Sequence, residues 1–348
     1  MKLLLATDAW RPQVNGVVRT LERVSTELQR FGVDVAMLTP DLFRTIPAPT
    51  YPEIRLAITT PGKIGAMAAA AKPDAIHIAT EGPIGFGVRR WCLRNRRKFT
   101  TSFHTRFPEY VAARWPISPK LSYAVLRWFH NAGNGCMVAT RSLENDLRSR
   151  GFERLLPWSR GVDAELFRPR PNARTDEVPR PVFLFVGRVA VEKNIRAFLD
   201  LDLPGSKMVV GDGPASVELK RDYPDARFPG VLTGEPLAEA YANADVFVFP
   251  SRTDTYGIVL LEALASGLPV AAYPVAGPLD VVGGTDVGVL DDDLRQAALS
   301  ALDIPAERCR EFALKHSWPA CARQFLDNLV SAQDLSVETR ALAMADGR

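Results

Sequence analysis

Two carboxylates stand eight residues apart in the run Pro250-Ser251-Arg252-Thr253-Asp254-Thr255-Tyr256-Gly257-Ile258-Val259-Leu260-Leu261-Glu262. Asp254 falls in the loop before a helix expected over residues 256–266, and Glu262 falls about two turns inside it. Both acids can then point at one ligand lying across the helix start, although Asp254 could equally cap the helix. A bare pair of acids at this spacing says little. Here it sits between a buried strand, a helix-starting Gly257-Ile258 and an Ala/Ser/Gly-rich helix end. A complementary pair of cations, Arg188 and Lys193, occurs in Gly187-Arg188-Val189-Ala190-Val191-Glu192-Lys193-Asn194, directly after another buried strand. Arg188 can grip a phosphate with two parallel N–H bonds and Lys193 adds a compact charge, so together they suit a diphosphate; plain surface solvation is the alternative. The turn Gly211-Asp212-Gly213-Pro214 has glycines that let a flat ring approach the backbone, and Asp212 could simply cap it.

The first half offers its own ligand-facing loops. Asn15-Gly16-Val17-Val18 turns a loop into a helix, where free amides and the helix dipole attract anions and Gly16 permits close approach; a tight turn is the plainer reading. His104, one of four histidines, ends a strand in Thr101-Ser102-Phe103-His104-Thr105-Arg106-Phe107-Pro108-Glu109-Tyr110, and is either a site residue or a core histidine. Glu81 ends the preceding strand and could line the pocket of a second reactant. The acidic runs Asp291-Asp292-Asp293 and Asp200-Leu201-Asp202 read as solvated turns or caps, and no metal site is expected.

These loops need strands and helices to hold them. Short apolar runs over 2–7, 34–38, 75–78 and 100–103 alternate with helical stretches, and Gly32 closes the first helix. After a proline-rich stretch the alternation restarts, with strands expected over 182–186, 207–210, 230–233, 246–250 and 269–272 and helices over 192–199, 237–242 and 256–266. Such alternation makes doubly wound parallel sheets, whose ligands bind at the carboxyl ends of the strands. The expected organisation is an α/β chain with Rossmann-like domains over 1–167 and 182–305, a linker over 168–181, and a helical segment over 306–332 broken by Pro319. Neither a dinucleotide fingerprint nor a P-loop occurs.

Composition is that of a globular protein, with 47% hydrophobic and 24% charged residues over 348. No apolar run is long enough to span a bilayer or act as a signal peptide, and four scattered cysteines suit reduced thiols, so a cytoplasmic protein is expected. Residues 1–165 hold 24 Lys and Arg against 14 Asp and Glu, leaving 19 against 26 in the rest, so a basic half precedes an acidic one. The six cations of residues 88–98, Arg94, Arg96 and Arg97 among them, and the aromatic stretch 115–129 could dock on an anionic lipid surface; an ordinary surface helix is the alternative. No zinc spacing, helix-turn-helix or aromatic RNA-binding motif points to nucleic acid.

Together these motifs closely resemble the retaining GT-B glycosyltransferases of glycosyltransferase group 1, also called family 4. The resemblance rests on the N-G-V-V loop, H-T-x-F, S-x-G-V-D at Ser159 to Asp163, G-R-x-x-x-E-K-N, G-D-G-P, A-D-V-F-V-F-P-S and the D-x7-E helix. Thr253-Asp254-Thr255-Tyr256-Gly257 is similar to a subgroup with diacylglycerol glycosyltransferases, sulfoquinovosyltransferases and GDP-mannose-dependent mannosyltransferases. The resemblance implies two domains facing a central cleft, with the terminal helix returning to the N-terminal one. It implies a nucleotide diphosphate sugar as substrate, a UDP-sugar ahead of GDP-mannose, no cofactor and no metal. Arg188 and Lys193 would hold the diphosphate, Gly16 would touch it from the other domain, and Glu262 would bind the ribose. Asp254 would hold sugar hydroxyls, aided by backbone at Gly257 and Ile258, with the turn at Asp212 and Gly213 near the base. His104 would sit beside the reacting sugar, with Glu81 and Tyr110 on the acceptor side. A membrane lipid such as diacylglycerol is the implied acceptor, on the inner face of the membrane, with a soluble sugar or polysaccharide as the alternative.

Overall fold

A computed structural model describes residues 1–13, 15–48, 51–112, 118–170, 178–254 and 256–334, the side chains of 51–53 and 110–112 excepted. The chain divides into two compact units, Met1–Ser159 with Trp318–Arg348, and Arg160–Ser317. The expected linker lies partly outside the described residues, at 171–177.

In the first unit the strands are β1 (Lys2–Ala6), β2 (Asp34–Leu38), β3 (Arg44–Ala48), β4 (Tyr51–Ile58), β5 (Ala75–Ile78), β6 (Thr100–Phe103), β7 (Gly135–Val138) and β8 (Leu155–Pro157). Its helices are α1 (Gly16–Arg30), α2 (Pro61–Ala70), α3 (Pro83–Arg94), α4 (Phe107–Ala112), α5 (Pro119–His130) and α6 (Arg141–Ser149). Six strands form one parallel sheet in the order β2-β1-β5-β6-β7-β8, and β3 and β4 pair as an antiparallel hairpin that the βα alternation does not foretell. Strands β5, β6 and β7 are buried along their whole length, as parallel strands covered on both faces must be. The order reverses between β1 and β5, opening a crevice at their carboxyl ends.

The second unit contains strands β9 (Val182–Val186), β10 (Ser206–Val210), β11 (Arg227–Gly230), β12 (Val246–Phe249), β13 (Val270–Ala272) and β14 (Gly288–Leu290). Between and after them come α7 (Ile195–Leu199), α8 (Ser216–Asp222), α9 (Gly234–Ala242), α10 (Ile258–Ala265), α11 (Ala276–Val282), α12 (Leu294–Ala301) and α13 (Ala306–Leu314). The parallel order β11-β10-β9-β12-β13-β14 is that of a dinucleotide-type Rossmann sheet, whose switch point lies between β9 and β12.

Three expected boundaries move, each for a backbone reason. The third strand ends at Gly230, whose φ of 84° leaves the extended region, so it lies over Arg227–Gly230 and not 230–233. The helix expected from 192 is a single 3₁₀ turn, Val191–Lys193, separated from α7 by Asn194 in the left-handed region at φ 53°. Helix α10 starts only at Ile258, because Gly257 has φ 79°, which puts Glu262 one turn inside the helix instead of two.

The terminal segment splits into α13 and α14 (Trp318–Gln333), with Pro319 in the first turn of α14, where a missing N–H breaks no helical bond. Only α14 belongs with the first unit; α13 and residues 160–167 group with the second, held by Arg310, which donates to the carbonyls of Ala164, Phe167 and Ala265. Within the first unit, α14 seals the sheet. The Gln333 amide pairs with both backbone groups of Ile76 in β5, at 3.1 and 3.0 Å, and Phe325 meets the His77 ring edge-on at 4.8 Å.

Candidate active site

At the second unit's switch point, the segments following β9 and β12 are tied together. Asn194 Nδ2 donates to the Pro250 carbonyl at 3.2 Å, a bond that its left-handed backbone permits. Lys193 Nζ forms an ion pair with Asp254 Oδ1, both side chains mostly buried. The other carboxylate oxygen, Oδ2, is buried and lacks a hydrogen-bond partner among the described residues. An ionised oxygen in that state has a large unmet demand for a donor, which a ligand hydroxyl can meet. Asp254 therefore does not cap α10, whose N-cap position is held by Gly257. Arg188 is half-buried on the same post-β9 loop.

Glycines hold the next two loops in contact. A Cβ on Gly211, where φ is 135°, would stand 1.8 Å from the Gly187 carbonyl oxygen, and one on Gly213 would stand 2.4 Å from that of Val189. The Val189 N–H donates to the Asp212 carbonyl at 2.9 Å, and the Ala215 N–H to that of Val189 at 3.1 Å, zipping the post-β9 loop to the post-β10 turn. Asp212 is exposed and caps its own turn, with the Ser216 hydroxyl first and the Gly213 amide second holding its carboxyl below the ordinary range. Gly257 lies against the Phe249 ring, and Ile258 opens α10 beside it. Glu262 is buried and accepts a hydrogen bond from the Tyr241 hydroxyl at 2.9 Å. The Arg252 guanidinium, beside this loop, lies 3.7 Å over the Tyr273 ring.

The crevice of the first unit is filled by its own chain. Asp8, which follows β1, accepts from the Ile84 and Gly85 amides at 2.8 and 3.1 Å and from the Thr80 hydroxyl at 3.2 Å, stoppering the start of α3. Burial pushes its pKa up to about 6 against those donors. Gly16 is exposed at the start of α1, but the amides there are not all free as expected: the Asn15 side chain takes those of Val17 and Val18, each at 3.0 Å. Glu81 holds the His130 Nε2 at 2.9 Å, and His104 is half-buried with its ring 5.6 Å from that of the buried Trp158. Tyr110 lies in α4 with its side chain outside the described residues.

Sequence reasoning passed over His77 and His130. Thr100 and Ser102 hydroxyls sit 2.9 and 2.8 Å from the two His77 nitrogens, and burial followed by the charge of His130 pushes its pKa down to about 3. For His130 burial opposes the charge, but Cys136 beside Nδ1 and Glu81 on Nε2 outweigh it and push the pKa up to about 10. Central position in an all-buried β5 was the only signal for His77, and none marked its pairing.

In the basic stretch Arg89 is buried, donating to the carbonyls of Phe129 and Trp128, whereas Arg94, Arg96 and Arg97 are exposed, Arg97 also donating to the Pro73 carbonyl. Among the described residues no group of three or more His, Cys, Asp or Glu could hold a metal, and Asp293 caps α12. No described helix is long and apolar enough to cross a membrane.

Comparison with known proteins agrees with this arrangement. The pattern of glycosyltransferase family 4 matches residues 14–166, and that of glycosyl transferases group 1 matches residues 180–303. The sulfoquinovosyl transferase of Arabidopsis thaliana is 32% identical over 77% of this chain, which spans 58% of that relative's length. A GDP-mannose-dependent α-mannosyltransferase of Mycolicibacterium smegmatis is 29% identical over 99% of this chain and 100% of its own. The fold matches that of sucrose-phosphate synthase from Thermosynechococcus elongatus, with a TM-score of 0.74 at 21% identity over 93% of this chain and 97% of that one. With both halves matched and two Rossmann-like units in place, the chain belongs to the group-1, family-4 glycosyltransferases of the GT-B fold, retaining enzymes that transfer a hexosyl group from a nucleotide diphosphate sugar.

Proposed function

We propose that the second unit binds the donor at its switch point and that the acceptor is a membrane lipid, diacylglycerol in class. The observation that carries the donor site is the buried Lys193–Asp254 pair with one carboxylate oxygen left over. In this reading Asp254 Oδ2 accepts from sugar hydroxyls while Lys193 and Arg188 hold the diphosphate. Backbone at Gly257 and Ile258 adds contacts at the open start of α10, Glu262 reaches the ribose, and the Asp212–Gly213 turn lies along the base. Gly16 supplies a diphosphate contact, His104 stands by the reacting sugar, and Glu81 and Tyr110 serve the acceptor side. The leaving diphosphate, stabilised by fixed cations, takes up the acceptor proton as the acceptor attacks from the same face. Catalysis then rests on positioning and preorganised charge, with no metal step.

Support for a lipid acceptor comes from the subgroup wording around Asp254 and from exposed apolar side chains beside Arg90 and Arg94 in the first unit. The expected UDP-sugar has a specific rival, because the relative aligned over its whole length is GDP-mannose-dependent. A turnover panel of UDP-glucose, UDP-glucuronate, UDP-galactose and GDP-mannose, each with diacylglycerol micelles or with soluble sugars, tests both points. A lipid-linked sugar from one donor is the expected product; transfer only to soluble sugars would discard the lipid acceptor, and transfer from GDP-mannose alone would discard UDP.

A further inference from the structure

Glu81 and His104 leave neighbouring strands at matching places. Strands β5 and β6 pair in parallel with Ile78 opposite Thr101, and each of the two residues follows its paired position by three, at the carboxyl edge of the sheet. His130, the last residue of α5, links Glu81 to β6. Its side chain is fully buried, and its ring packs against those of Phe103, Phe129 and Phe152 at 5.8, 5.2 and 5.9 Å. Holding its proton at neutral pH, the ring donates from both nitrogens, Nδ1 to the Thr101 hydroxyl at 2.8 Å and Nε2 to Glu81 Oε1 at 2.9 Å. The negative end of the α5 dipole favours the same charge.

A ring gripped at both nitrogens cannot turn, so Thr101 fixes His130 and His130 fixes Glu81. Strand β6 thereby sets the place of Glu81 as well as that of His104, which follows it directly. Desolvating an imidazolium costs about as much as its ion pair returns, so the contact adds little to stability. What it supplies is placement. The Glu81 side chain is 22% exposed on the loop after β5, and without His130 it would swing into water. Its second oxygen, Oε2, makes no hydrogen bond or ion pair among the described residues and is left able to accept. A carboxylate held by one oxygen offers the other in a set direction, which is what orienting an alcohol for attack requires.

We infer that His130 is a positioning residue of the transfer reaction, holding Glu81 so that Oε2 accepts a hydrogen bond from the attacking hydroxyl of the acceptor. His130 itself touches neither substrate, and the acceptor proton still passes to the leaving diphosphate. The inference rests on the reading that Glu81 serves the acceptor side and extends it to a second residue. The test is steady-state kinetics of the full chain with diacylglycerol micelles and whichever donor of the panel gives product. E81Q and H130F are each expected to lower kcat/KM for the acceptor by about 10- to 10²-fold, the range of one hydrogen bond to a charged group, with the KM for donor unchanged. Because one residue acts through the other, E81Q/H130F should fall no further than E81Q alone. T101V should fall in the same direction by about fivefold, and T101S should restore the wild-type values. Losses that multiply in the double variant, or a donor KM raised as much as that of the acceptor, would overturn the role of His130. If H130F fails to fold, T101V decides, and wild-type acceptor kinetics in it would overturn the proposal. A normal E81Q would remove Glu81 from the acceptor side and the inference with it, whereas a slow E81Q beside a normal H130F would strike His130 alone. Product only from soluble sugars would discard the lipid acceptor, and the same variants read with that sugar would then decide on His130.

Discussion

At the scale of single residues, the ion pair between Lys193 and Asp254 sets the electrostatics of the proposed donor site before any ligand arrives. Each partner offsets the burial cost of the other, and Oδ2 remains an unspent acceptor. Replacing Arg188 by Ala, or Asp254 by Asn, is expected to lower turnover at saturating donor by about 10²- to 10³-fold; normal turnover in either variant would remove that residue from the mechanism. Glu262 presents a different case, since its carboxylate is buried on the Tyr241 hydroxyl. Tyr241→Phe should cost about 1–3 kcal/mol of stability, read by urea unfolding, because a buried carboxyl oxygen loses a donor. Residue types were legible here in advance: Asp254, Glu262, Arg188 and Lys193 announced themselves by charge and spacing. Partners were not. Nothing in the order of letters says that Arg252 stacks on Tyr273, or that Asn15 occupies the amides it precedes.

At the scale of elements, the site depends on two loops that touch because Gly211 and Gly213 lack side chains. Gly211→Ala must move the Gly187 carbonyl and adopt a backbone angle that alanine disfavours, at a cost of about 1–3 kcal/mol. Thermal shifts with and without nucleotide sugar should show a lowered Tm together with weakened donor response; an unchanged donor response would separate this contact from ligand binding. The βα alternation made most strands and the parallel sheets readable, since an all-apolar run such as β9 fits burial on both faces. Helix starts were less readable. Residues 192–194 and 256–258 look helical by composition, yet Asn194 and Gly257 take left-handed backbone there, and it is this break that leaves the start of α10 open. The β3–β4 hairpin was equally hidden, because its strands carry prolines and arginines that neither periodicity favours.

At the scale of the molecule, two buried histidines of the first unit should shape its response to pH. His77 stays neutral down to about 3, against 6.5 for an ordinary imidazole, so between those values only the unfolded chain takes up its proton and stability falls with acidification. His130 holds its proton up to about 10, so above 6.5 only the folded chain keeps it and stability falls as pH rises. Each limb has a limiting slope of about 1.4 kcal/mol per pH unit. Asp8 works against the acid limb, because its pKa of about 6 lets only the folded chain keep that proton between about 4 and 6, so denaturant unfolding should give similar stability at about pH 5 and 6 and a loss by about pH 8. His77→Gln should leave the Asp8 limb unopposed, so that stability rises on acidification from about pH 6.5 to 5, and His130→Gln should flatten the alkaline side; equal slopes in wild type and variants would contradict the assignment.

Helix α14 has a consequence in time as well as in space. It is the last described helix, yet it seals the sheet that begins with the first strand, through Gln333 on β5 and Phe325 on His77. On the ribosome, the usual order in which the leading domain matures first is therefore reversed. Residues Arg160–Ser317 form an unbroken stretch able to close as soon as it emerges, while the earlier-made sheet waits with β5 uncovered for its final helix. The nascent chain thus has its second unit closed before its first is finished, and the exposed strand in the interval is the stage of its life most open to chaperones and proteases.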